Sequence, residues 1–196
     1  MTISYLKGHP WSEWTRDERY FCSVLYSHAV NDVQEFASWL IDSAQLDLSK
    51  KGAWDLGFEV CLYRDYLWQL GRSAKAEGFP PKRTFDFCLF GDDQIIVVEA
   101  KVFEKFTSKQ NEAFDRDKNR IRELPQLGHL RIAVVALASS RYFSNAEKYG
   151  WPGTLAGFDG RVSWAQAAEK YGHPDLQRAD GLYKSKPGAF REDDHA

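Results

Sequence analysis

Apolar positions recur every three or four residues early in the chain and give way to apolar runs and alternation in the middle, which sets the expected order of elements. Phe21, Val24, Leu25 and His28 stand at helical spacing. Thr15 and Glu18 fit a capping box, each side chain satisfying an open amide at a helix start, so the first helix is expected from Thr15. Val33, Phe36, Ala37, Leu40, Ile41 and Ala44 line a second helix, broken at Lys50-Lys51-Gly52. From Leu56 to Leu70, the positions of Val60, Tyr63, Leu67 and Leu70 predict a third helix closed by Gly71, although Glu59–Tyr63 can also be read as strand.

Pro80-Pro81 forbids helix, and the pattern then changes period. Thr84–Phe90 has strand composition, Gly91-Asp92-Asp93 supplies a turn, and Gln94–Lys101 carries the run Ile95-Ile96-Val97-Val98, which together predict a β-hairpin. Ser108–Leu124 reads as a charged helix with Phe114 and Ile121 inward, Arg131–Ala138 as a buried strand, and Ser163–Tyr171 as a final helix. Helices, hairpin, helix, strand and helix in that order define an α/β fold with a small mixed sheet.

The composition agrees with one core. The chain has 196 residues, 43% of them hydrophobic and 15% aromatic, which suits a single domain over residues 1–183 followed by a polar, frayed tail at 184–196. No run approaches the ~20 apolar residues of a membrane span, and the N-terminus lacks a basic segment followed by an apolar one, so a cytoplasmic protein with no membrane partner is expected. Cys22, Cys61 and Cys88 match no zinc spacing and read as reduced core thiols. A net charge of −2 excludes a protein that coats nucleic acid by charge alone. That low charge points to a homodimer or a partner subunit for extra grip.

The chemistry concentrates in Phe85-Asp86 and Val97-Val98-Glu99-Ala100-Lys101. Alternation places Glu99 and Lys101 on one face of a strand that is apolar up to Val98, where unpartnered charges would be costly. Asp86 at a similar height on the neighbouring strand brings a second carboxylate beside Glu99. Two close carboxylates call for a cation between them, and hard oxygen ligands suit Mg²⁺ or Mn²⁺. Lys101 would then hold positive charge where a phosphate oxygen or attacking water lies. Glu99-Ala100-Lys101 is the only acidic-x-Lys triplet in the chain. The competing reading is a salt-bridged strand end with Asp86 unrelated.

Asp86 followed by Glu99-x-Lys101 on a hairpin, with helices before it and a helix and strand after it, resembles the PD-(D/E)xK nuclease superfamily over roughly residues 15–138. The resemblance implies a restriction-endonuclease-like αβββαβ core and Mg²⁺-dependent hydrolysis of phosphodiester bonds, with DNA as the expected substrate. It implies a metal held by Asp86, Glu99 and the carbonyl of Ala100, with Lys101 positioning the nucleophile or stabilising the transition state. It further implies a glutamate from the first helix, for which Glu18 is the candidate, and a glutamine on the helix after the motif, for which Gln110 is. Phe85 stands where the family's proline would precede Asp86.

The supporting residues carry competing readings. Glu18 can cap a helix or serve the site, and Gln110 can simply be solvated. Glu59 joins the site only if its segment is a strand; otherwise it partners a basic side chain. The stretch from Lys101 to Arg122 has a local excess of three positive charges, and Lys105, Lys109, Arg116, Lys118 and Arg120 are the candidate nucleic-acid contacts, against a solvated face with i,i+4 pairs. The aromatic residues after Arg141 read as packing, or as a stacking surface for unpaired bases. No paired histidine spacing and no phosphate-cradling glycine loop occurs. Two further classes stay open: a catalytically silent nuclease-like domain that binds nucleic acid or a protein, and an interaction or regulatory protein whose charges are structural.

Overall fold

The hairpin predicted from the sequence forms, with β2 at Phe85–Gly91, β3 at Gln94–Ala100 and the turn at Asp92-Asp93. The computed structural model describes residues 8–150 and 155–184, with the backbone alone at Ser108 and Asn111. Residues 185–196 of the expected frayed tail, residues 1–7 and Trp151 lie outside the described residues.

The complete sheet has five strands in the order β1-β2-β3-β4-β5, adding β1 (Trp54–Val60), β4 (Arg131–Ala138) and β5 (Gly160–Ser163) to the hairpin. The pairs β1–β2 and β2–β3 are antiparallel, while β3–β4 and β4–β5 are parallel. The fold is therefore α/β with a mixed sheet flanked by helices.

Helices cover both faces. On one side lie α2 (Glu18–Ala29), α3 (Val33–Ser43), α7 (Trp164–Tyr171) and α8 (Pro174–Gly181), whose inner residues pack on Ile96, Val98 and Ala100 of β3. On the other lie α4 (Leu62–Gln69), α5 (Ser108–Glu123) and α6 (Ser140–Lys148), packed on Ile95 and Val97. Because β3 is sandwiched, all seven of its residues are buried, as the apolar run requires. Its one buried amide is satisfied: Gln94 Nε2 donates to the Ser49 carbonyl at 2.6 Å and Gln94 Oε1 accepts from Ser49 N–H at 3.0 Å.

Three expectations need correction. The third helix does not run from Leu56 to Leu70: residues 54–60 form the edge strand β1, and only Tyr63 and Leu67 of the supposed stripe face the core from α4. An edge strand buried on parts of both faces has no clean alternation, so its apolar positions merge with the helix that follows. Gly71, at φ 70°, takes the left-handed turn that ends α4, as expected. The Thr15–Glu18 capping box is absent. A short helix α1 (Trp11–Trp14) ends at Thr15, and Asp17 caps α2, its side chain accepting from Arg19 N–H. Finally, β5 and the helices α1, α6 and α8 stand outside the elements that the sequence pattern predicts. Strand β5 has only four residues, too few for a period.

Candidate active site

Polar groups from three elements close on Ala100 at the C-terminal end of β3. The β2–β3 ladder stops at the pair Phe87–Val98. Beyond it, Asp86 Oδ2 accepts from the Ala100 N–H at 2.7 Å, a side chain taking the place of a strand carbonyl. On the other side β3 stays paired with β4 as far as Ala100–Leu137, and Lys101 N–H donates to the Leu137 carbonyl at 2.8 Å. The strands thus part on one side only, at the point where antiparallel pairing changes to parallel. Such a gap at the carboxyl ends of strands is where α/β sheets place ligands.

Lys101 lies one residue past β3 and folds back. Its Nζ donates to the Ala100 carbonyl at 2.8 Å and to Glu18 Oε1 at 2.9 Å. Glu18, freed from the capping role the sequence suggested, sits at the first position of α2 and reaches the Val102 N–H with Oε2 at 3.3 Å. The indole N–H of the buried Trp164 donates to the Lys101 carbonyl at 3.0 Å, fixing the backbone at the turn out of β3. Lys101 and Glu99 therefore turn to different partners rather than meeting side by side.

Glu99 is taken by a residue that the sequence reading passed over. Arg83 Nη2 donates to Glu99 Oε1 at 2.6 Å and Arg83 Nε to Asp117 Oδ2 at 2.9 Å. Tyr63 O–H completes the chain by donating to Asp117 Oδ1 at 2.7 Å. The Arg83 guanidinium also lies over the rings of Phe85 and Phe114. Asp117, which lies in the charged stretch that the sequence allows as a solvated face, is 4% exposed. No sequence signal marks Arg83; a cation between a diproline and a strand is ordinary loop composition.

The electrostatics follow from burial. The Glu99 carboxyl is pushed up to about 8 by burial, which outweighs the pull of Arg83, and Asp86 adds to the rise. Burial also raises the Asp86 carboxyl against the Ala100 N–H and Lys101, which favour its charged form. Glu18 is raised by burial, with Lys101 opposing and Asp86 assisting. Burial would lower the Lys101 ammonium, but Glu18, Asp86 and Glu99 outweigh it and the net shift is upward. Lys101 is thus a cation at neutral pH and not a base.

Glu59 borders this cluster. Its strand neighbours Phe58 and Val60 pair with Phe87 and Phe85, so its backbone lies level with Asp86, and its φ of 53° is a strained value for a side chain of this kind. Its carboxylate meets Arg19 Nε at 3.4 Å, the basic partner that the sequence reading offered as one option. An open pocket of about 350 Å³ lies over the Glu18–Lys101 pair, lined by Arg16, Asp17, Phe103 and Glu104, with the Arg16 guanidinium 3.6 Å from the Phe103 ring centre. A wider cleft of about 650 Å³, between Ser43–Gln45 and α6, lies away from these groups.

The donor set can be tested against a divalent ion. Carboxylate oxygens of Asp86 and Glu99 and the Ala100 carbonyl are hard ligands of the kind Mg²⁺ and Mn²⁺ take. Asp86 raises the carboxyls of both Glu18 and Glu99, and a cation beside it would favour the charged form of all three. In kind, the residues fit. In this arrangement, however, no three His, Cys, Asp or Glu side chains among the described residues stand close enough to enclose a metal, because Glu99 leans to Arg83 and Glu18 to Lys101.

The remaining candidates fare differently. Gln110 is not brought to the carboxylates: it closes a capping box with Thr107 at the start of α5, its Oε1 accepting from Thr107 N–H at 2.9 Å. A Thr-x-x-Gln spacing ahead of a helix was the available signal for this. Lys118 pairs with Asp159 at 3.1 Å and with Asp115, tying α5 to the segment before β5, so it is a structural cation rather than an open contact. Lys105, Lys109 and Arg116 are exposed and Arg120 half-buried. Of the late aromatics, Tyr142 and Trp164 are fully buried and Phe143 nearly so, while Tyr149 is 59% exposed. Cys22, Cys61 and Cys88 are free thiols, with Cys22 and Cys88 in the core. No helix among the described residues is long and apolar enough to cross a membrane. No protein-family model, curated protein or solved structure matches the chain.

Proposed function

We propose that this chain is a divalent-metal-dependent nuclease with a restriction-endonuclease-like core, hydrolysing phosphodiester bonds in DNA. One observation carries the reading: Asp86 from β2 and Lys101 from the end of β3 bracket Ala100 at the point where the sheet opens, with Glu18 of α2 holding Lys101 from the other side. Structural ion pairs do not need the main chain of one strand end bracketed on both its N–H and its carbonyl.

Asp86, Glu99 and the Ala100 carbonyl would hold the ion. When bound, Mg²⁺ or Mn²⁺ supplies Lewis-acid activation of water and of the scissile phosphate. The chain's own part is positioning. Lys101, kept charged by Glu18, offers Nζ hydrogens to an attacking water or to charge growing on a phosphate oxygen. Glu18 fixes the direction of that ammonium. The Arg16–Phe103 stack at the pocket mouth gives the phosphate backbone a cation on its way in.

A second reading, a silent nuclease-like domain binding nucleic acid or a protein, is favoured by one fact: Arg83 already occupies Glu99 Oε1, at 2.6 Å. Purified protein is incubated with plasmid and linear DNA in Mg²⁺ or Mn²⁺, beside Asp86→Asn and Lys101→Ala, and melted with and without Mn²⁺. The nuclease reading expects cleavage lost at least about 100-fold in both variants, and a Mn²⁺-induced stabilisation of about 2.7 kcal/mol at 100 times Kd. Cleavage that survives both substitutions overturns it. A folded wild type with neither cleavage nor Mn²⁺ stabilisation selects the silent domain.

A further inference from the structure

Away from the strand end, α4 carries an indole that the packing of the core does not use. Trp68 is 79% exposed, more than any other large hydrophobic side chain among the described residues. No ring or cation among the described residues stacks on it. It borders an open cavity of about 460 Å³, lined by Gly71, Ala74 and Pro81 together with Arg64, Arg72 and Lys75. No carboxylate among the described residues lines that cavity. Arg64 and Trp68 stand four apart on α4 and so share a face. The left-handed turn at Gly71, held by Arg72 N–H donating to the Leu67 carbonyl at 2.8 Å, brings Arg72 to the same place. Arg64 Nε and Nη2 donate to Asp65 at 2.7 and 3.1 Å, and Nη1 has no partner among the described residues. Arg72 pairs with Glu77 through Nε alone. The Lys75 ammonium has no partner among the described residues.

We infer that this surface is a subsite for an unpaired nucleotide of a single-stranded nucleic acid, its base stacked on Trp68 and its flanking phosphates met by Arg64, Arg72 and Lys75. A flat indole takes any base on its face, and cations beside it hold the backbone. A duplex hides those base faces in its own stack, so the surface selects single strands. An acidic peptide would satisfy the cations but supplies no flat ring beside each charge. Pro81 of the cavity is two residues from Arg83, the partner of Glu99, at most about 7 Å of chain, so the surface adjoins the candidate active site. The inference takes only its class of partner from the proposed function and needs neither metal nor cleavage.

The test measures binding of the whole chain to fluorescein-labelled oligo(dT) and oligo(U) of about 12 nucleotides, by anisotropy with a chelator present. Trp68→Ala is expected to weaken binding about tenfold or more, and Trp68→Tyr, which keeps a ring, to restore most of it. Arg64→Gln/Lys75→Gln is expected to reduce the slope of log affinity against log salt by about 0.7 per charge removed. Melting curves check the fold of each variant, which the exposure of these side chains should leave intact. Loss on either probe supports the inference, and comparing the two distinguishes DNA from RNA as the source of the nucleotide. Affinity unchanged within about twofold in folded Trp68→Ala overturns it, as does a wild type that binds neither probe. Poly-glutamate that displaces oligo(dT) at equal charge assigns the surface to an acidic protein and also overturns it. None of these failures touches the nuclease reading, which stands or falls on its own cleavage assay.

Discussion

Lys101 Nζ lies 2.9 Å from Glu18 Oε1, a pair 83 positions apart in sequence that joins the first residue of α2 to the end of β3. The pair matters through direction: with the ammonium also bonded to the Ala100 carbonyl, Lys101 has one place to point. Glu18→Gln keeps the shape and removes the charge that steers Lys101. On the proposed nuclease reading, metal-dependent DNA cleavage is expected to fall about 10- to 100-fold. Stability should change by less than about 1 kcal/mol, since the Glu18 side chain is 30% exposed and solvent screens the pair. Plasmid nicking and urea melts on one preparation separate the two effects.

The Glu99 carboxyl, held near 8 by burial, ties metal-free stability to pH. Its folded value is above the ordinary glutamate range, so the native state binds a proton that the unfolded chain releases. The contribution is fully present below pH ~4.5 and is lost as pH climbs through about 8. In the presence of a chelator, the melting temperature of the wild type should drop by about 5 °C between pH 5 and 8.5, and Glu99→Gln should flatten that slope. A wild-type melting temperature that rises over this range would show that Glu99 is charged throughout.

The Tyr63–Asp117–Arg83 chain should also be visible as stability. Tyr63→Phe removes one hydrogen bond to a buried carboxylate and is expected to cost about 1–2 kcal/mol. Asp117→Ala leaves Arg83 half-paired and a cavity at α5, with an expected cost of about 3–5 kcal/mol. Chemical denaturation gives both numbers, and near-equal costs would mean that the ion pair adds nothing to the hydrogen bond.

Gln110 offers a clean contrast between cap and site. Gln110→Ala should cost about 0.5–1 kcal/mol through loss of the α5 capping box and leave the cleavage rate within about twofold. A fall in rate beyond tenfold at unchanged folding would return Gln110 to the active site.

What could be read in the chain was whatever depends on near neighbours. The run Ile95–Val98 needs burial on both faces and so announced a central strand, and the Asp92-Asp93 turn set the hairpin. Phe114 and Ile121 announced the inner face of α5, and Glu99-x-Lys101 at the end of the best strand announced where charges collect. The edge strand β1 was hidden because half-exposed residues carry little pattern, and Asp117 looked like surface because three cations surround it in sequence.

The sequence by itself determined the local preferences and the kinds of atoms available: oxygen donors on neighbouring strands with a cation next to them. Only the tertiary structure decided which oxygen meets which charge. Arg83 reaching Glu99, Lys101 turning to Glu18, and Gln110 folding back on Thr107 are outcomes of competition among partners brought near by packing. That competition is settled by distance and burial, since a buried charge takes the partner the fold puts within about 3 Å, and no spacing along the chain encodes that distance.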